Sequence, residues 1–155
     1  MQILEILVFE DKKGLFSEFS QFLPLEKVEQ SHLPAFRLEI ERNLVLLIYC
    51  VDKDQKFSQE HLKNVFPHLS RFILLSDQQN FLNLDLPDVF QDLYNEYDPY
   101  IASTIVLAGD SGERIQPVES EGRPGYYLNK DSRLFFWNQN QPEDRNRIWQ
   151  MMWEE

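Results

Sequence analysis

Two hydrophobic periods alternate along the chain. After Pro34, Phe36, Leu38 and Ile40 alternate with Arg37, Glu39 and Glu41, and a period of two predicts a strand with one buried face. Arg42-Asn43 breaks that pattern. Leu44-Val45-Leu46-Leu47-Ile48-Tyr49-Cys50-Val51 follows, apolar on both faces as a central strand requires. So short a break predicts a tight hairpin and an antiparallel pair. Behind Ser58, a suitable helix N-cap, Leu62, Val65, Phe66 and Leu69 recur at i, i+3, i+4 and i+7. Arg71 to Leu75 then reads as a strand reached by a helical crossover, which sets it parallel in the same sheet. Pro87 opens a second helix carrying Val89, Phe90, Leu93, Tyr94 and Tyr97. Thr104 to Leu107, Tyr126 to Leu128 and Leu134 to Trp137 are shorter strands. Pro142 starts a C-terminal helix whose apolar face gathers Ile148, Trp149, Met152 and Trp153. Strands alternating with helices predict the α/β class: a single-domain layered sandwich with a mixed central sheet flanked by helices.

Composition narrows function by exclusion. A chain of 155 residues buries a core without staples. Its 15 Lys+Arg against 26 Asp+Glu leave a net charge of −11, which argues against gripping nucleic acid phosphates directly. A single cysteine, Cys50, forms no internal disulfide. The longest apolar run, Leu44 to Val51, falls far short of the roughly 20 residues of a membrane span. The N-terminus lacks the basic region of a signal peptide. The expectation is a cytoplasmic protein with no membrane contact. Gly109, Gly112, Gly122 and Gly125 crowd one stretch, which predicts a long surface loop.

Candidate chemistry is sparse. His61 and His68 stand seven apart on one predicted helix, not at the one-turn spacing of a metal pair, and His32 stands alone. Cys50 lies in the most apolar strand, where free cysteine behaves as a small hydrophobe. Asp52-Lys53-Asp54 ends a strand, where catalytic carboxylates often sit, but the same residues make an ordinary turn. Gly109-Asp110-Ser111-Gly112 follows a strand without the lysine or spacing of a phosphate loop. No catalytic constellation, metal site or cofactor site emerges, and weight shifts to binding. Aromatics form 14% of the chain, with Trp137, Trp149 and Trp153 near its end. The opening run Ile3, Leu4, Ile6, Leu7, Val8, Phe9 has two readings, a docking peptide or a core strand.

Several of these pieces resemble one family, the psi subunit of bacterial DNA polymerase III. Met1-Gln2-Ile3-Leu4-Glu5-Ile6-Leu7-Val8-Phe9 is similar to its opening motif at Gln2, Leu4 and Ile6, with Met1 and Phe9 as related residues. The strand pair Phe36 to Val51, the run Arg71 to Asp77, Ser132-Arg133-Leu134 and the helix with Pro142-Glu143-Asp144-Arg145 and Ile148-Trp149-Gln150 follow in the family's order. Asp85 to Ser103 has no counterpart. The resemblance implies a non-catalytic adaptor. Residues 1–12 would dock on a clamp-loader subunit through Gln2, Leu4, Ile6 and Phe9. The domain over 13–155 would bind the chi subunit, and through it single-strand-binding protein. Two other classes compete: an acidic immunity or inhibitor protein that neutralises a basic toxin or nuclease, and a degenerate nucleotide-binding domain whose Asp52 turn and Gly109 loop resemble a GTPase-like layout.

Overall fold

The computed structural model describes residues 2–29, 33–52, 69–77, 102–109 and 133–153. Strands β1 (Gln2–Glu10), β2 (Glu26–Val28), β3 (Ala35–Glu41), β4 (Leu44–Asp52), β5 (Leu69–Asp77), β6 (Ala102–Gly109) and β7 (Arg133–Asn138) form one sheet in the order β2-β3-β4-β1-β5-β6-β7. Helices α1 (Leu15–Phe19) and α2 (Pro142–Trp153) join it. The architecture is the predicted one: a single-domain α/β fold around a mixed sheet.

The predicted hairpin forms around Arg42-Asn43. It pairs β3 with β4 antiparallel, Phe36 opposite Ile48 and Leu38 opposite Leu46. The β1, β4, β5, β6 and β7 strands all run parallel. β1 is paired on both edges, by β4 and β5, and each of its faces meets a hydrophobic core, which explains an unbroken apolar run there. Leu7 and Phe9 enter one core with Tyr49, Val51, Phe72 and Leu74. Ile6 and Val8 enter the other, with Leu46, Ile73 and the residues of α1 and α2. Ile6 to Phe9 are at most 1% exposed. A docking segment over 1–12 separate from a domain over 13–155 is therefore corrected: the first strand is the middle of the sheet.

The short α1 has no counterpart in the sequence reading. Gly14, at φ 97°, turns the chain into it; a Cβ there would meet no neighbour, so backbone conformation alone favours glycine. α2 begins at Pro142 as predicted, with Glu143 and Asp144 in a first turn whose dipole favours negative charge. It docks through Ile148 and Trp149, the indole Nε1–H of Trp149 donating to Phe19 O at 2.9 Å. Phe19 sits 5.0 Å, centroid to centroid, from both Trp137 and Trp149.

The predicted helices behind Ser58 and Pro87, the strand Tyr126 to Leu128, the glycine-rich loop beyond Gly109 and all three histidines lie outside the described residues, except that Leu69, read as the last apolar position of the first helix, opens β5 instead. No helix among the described residues is long and apolar enough to cross a membrane.

Candidate functional site

Open α/β sheets hold ligands outside the carboxyl ends of their strands, where strand order reverses. Here that place is the end of β1: the next strands in sequence, β2 to β4, lie on one side of it and β5 to β7 on the other. The strand ends bring together Glu10, Asp11, Asp52, Ser76 and Asp77.

Glu10 lies opposite Asp52 across the β1–β4 pair and is 7% exposed. Its Oε2 accepts from the Phe16 N–H at 2.8 Å, and its Oε1 from the Gly14 N–H at 3.4 Å. The first N–H groups of a helix have no partner within it and carry partial positive charge, so a carboxylate there is doubly favoured. Asp11, 2% exposed, ties β1 to β5. Its carboxylate accepts from the Ser76 hydroxyl and, at 3.2 Å, from the Asp77 N–H, while the Asp11 N–H donates to Leu75 O at 3.0 Å. Both buried carboxylates are thus committed to the fold.

The turn Glu10-Asp11-Lys12-Lys13-Gly14-Leu15-Phe16 stands where a strand–loop–helix phosphate site would place its glycines and lysine. Its one glycine serves the turn, and Lys12 and Lys13 are exposed. The anion-binding donors face Glu10 instead. A phosphate entering this turn has to displace Glu10 from those donors. Among the described residues, no group of three or more His, Cys, Asp or Glu side chains is placed to hold a metal ion.

Cys50 lies next to this edge on β4. Burial first, then the Glu10 and Asp52 carboxylates, push its thiol well above the ordinary cysteine range. A raised value leaves less thiolate at any given pH. At pH 8, native Cys50 is expected to react with a thiol reagent at least about tenfold more slowly than in the urea-unfolded chain. Equal rates would show that the strand end is open. One residue earlier on β4, on the opposite face of the sheet, the Tyr49 hydroxyl donates to Glu5 Oε1 at 2.8 Å, and burial, that bond and the Glu5 charge push the phenol above its usual value.

The residues read as a docking motif do not share a surface. Gln2 is exposed, its N–H bonded to Asn43 O at 2.6 Å; Leu4 is half-buried; Ile6 and Phe9 are buried in opposite cores. The sequence reading singled out Asp52 and Gly109 but missed Glu10 and Asp11. The available signal was an acidic pair closing an apolar strand.

No protein-family model matches the chain, and no curated protein matches it at a significant level. Among solved structures, IFT22 of T. brucei in its GDP-bound crystal form superposes with a TM-score of 0.56 at 14% identity, covering 98% of this chain and 94% of that one. The GTP-bound form of T. brucei IFT22 gives a TM-score of 0.47 at 11% identity, over 98% and 97% of the two chains. The resemblance to a polymerase III psi subunit is overturned: the fold is shared with IFT22, and the residues that carried the motif are a central strand. With it go the place in DNA replication and the clamp-loader, chi and single-strand-binding-protein partners; the toxin-inhibitor alternative fails against the same fold match. What the likeness establishes is the fold alone, shared with IFT22.

Proposed function

We propose that this chain is a nucleotide-independent form of the small-GTPase fold, a binding module held in one state that performs no hydrolysis. The observation that carries this reading is the Glu10 carboxylate on the Phe16 and Gly14 N–H groups. An entering phosphate has to displace a buried charge-assisted bond, itself worth about 1.5–3 kcal/mol. It then meets Asp11 and Asp52 beside the vacated position, and like charges at close range in a partly buried site repel strongly. A nucleotide switch needs the opposite, donors left open for the ligand.

The competing reading is guanine-nucleotide binding, favoured by the fold shared with a protein crystallised with GDP. Thermal melts with millimolar GDP or GTP and Mg²⁺ separate the two. A ligand bound at fifty times its dissociation constant stabilises by about 2 kcal/mol, several degrees for a domain of this size. The module reading expects no saturable shift. A saturable rise in Tm with either nucleotide rejects it in favour of a nucleotide-binding protein.

A further inference from the structure

β7 ends the sheet on one side; among the described residues it pairs with β6 alone. Its backbone phase determines what the other side offers. The Gln139 N–H donates to Gly109 O of β6 at 2.9 Å. Along a strand, successive residues point their backbone groups to alternate sides. Arg133, Phe135 and Trp137 therefore address β6, while Leu134, Phe136 and Asn138 address the outside. The Asn138 N–H agrees with that phase, since it donates to Asp144 Oδ2 of α2 at 2.7 Å. Leu134 and Phe136 keep an outward edge.

Exposed edges are usually blunted by charge, proline or a bulge. Leu134, Phe135 and Phe136 have none of these, and all three are half-buried. The far edge of the sheet differs, with exposed Glu26, Glu39 and Glu41 around Arg37. At a net charge of −11, one copy repels another over most of its surface. The β7 edge, from Arg133 to Trp137, carries no carboxylate.

We propose that the outer edge of β7 pairs antiparallel with the same edge of a second copy of this chain, continuing the sheet across a two-fold axis. The phase restricts the pairs to outward residues, 134 and 136, and centring the apolar run Leu134–Phe136 on the axis selects one register. An axis perpendicular to the sheet pairs residues of one face, so Leu134 meets Phe136 of the second copy and exchanges both backbone bonds with it. Phe135 faces its own counterpart on the axis. Every one of these pairs is apolar, which suits cross-strand neighbours.

Sedimentation of the full chain across the micromolar range tests this. The wild type is expected to show a concentration-dependent monomer–dimer equilibrium. Phe136→Pro removes an outward N–H, and Phe135→Lys sets two ammonium groups against each other. Each is expected to weaken association by at least about tenfold. Cross-linking gives an independent readout should either variant lose its fold. In a directly facing pair the Cβ atoms lie about 4.5–5.5 Å apart, so Phe135→Cys is expected to give a disulfide-linked dimer under oxidised glutathione, and Leu134→Cys, off the axis, much less. A wild type that stays monomeric at hundreds of micromolar, a dimer that survives in both folded variants, or equal cross-linking at 134 and 135 overturns the proposal.

Discussion

Phe9→Ala is expected to lower the stability of the domain by about 3–5 kcal/mol, the usual cost of deleting a fully buried aromatic ring. Phe9 has no exposed surface and packs among Leu7, Val51, Phe72 and Leu74, from β1 and the two strands that flank it. Those neighbours belong to paired strands and cannot collapse into the space without breaking their ladders, so most of the cavity stays open. A domain of this kind has only about 5–15 kcal/mol in hand. Leu4→Ala, at the half-buried start of the same strand, should cost on the order of 1 kcal/mol. Urea denaturation followed by circular dichroism gives both values from the midpoints at equal slope. If Phe9→Ala falls by less than 1 kcal/mol, β1 is not the middle of the sheet.

The contrast between those two residues also shows where the sequence was legible. The hairpin of β3 and β4 was readable because every signal for it is local: an alternating strand, a two-residue turn and an apolar strand. Pro142 marked the start of α2 for the same reason. β1 was ambiguous because an apolar run records burial without recording whose surface does the burying. A peptide lying in a partner's groove and a strand between two neighbours of its own chain share one pattern. Element order misled in a related way, since apolar strands alternating with helices suit many α/β families. α1 was invisible to periodicity, being barely more than one turn. Its Phe16 N–H is satisfied by Glu10, six residues earlier, a partnership that depends on the Gly14 turn and not on residue type. The pairing of Asp11 with Ser76 across 65 residues lies beyond any local pattern. The candidate site therefore became readable only once β1 and β5 were adjacent.

Trp137→Ala is the second large loss expected, again about 3–5 kcal/mol. The indole is 1% exposed and is the largest of the fully buried side chains. It stands on β7 with the Phe19 ring of α1 at 5.0 Å, and Phe19 in turn stacks on Trp149 of α2 at 5.0 Å. Such ring pairs add about 0.5–1.5 kcal/mol beyond the area they bury. Trp137 is the sheet's end of this series and Phe19 its middle, so removing the indole should loosen α1 directly and α2 through Phe19. That makes the variant distinguishable from an ordinary cavity. Near-UV circular dichroism should weaken beyond the loss of one chromophore, and amide exchange should rise in both helices while β1 and β4 stay protected. Trp149→Phe is the control, because it keeps a ring against Phe19 and removes the donor to Phe19 O. Losing that one bond should cost about 1 kcal/mol and leave α1 in place. If Trp137→Ala raises exchange in α2 alone, Phe19 does not couple the two helices, and α1 is held by Glu10 and the Gly14 turn without help from the aromatic cluster.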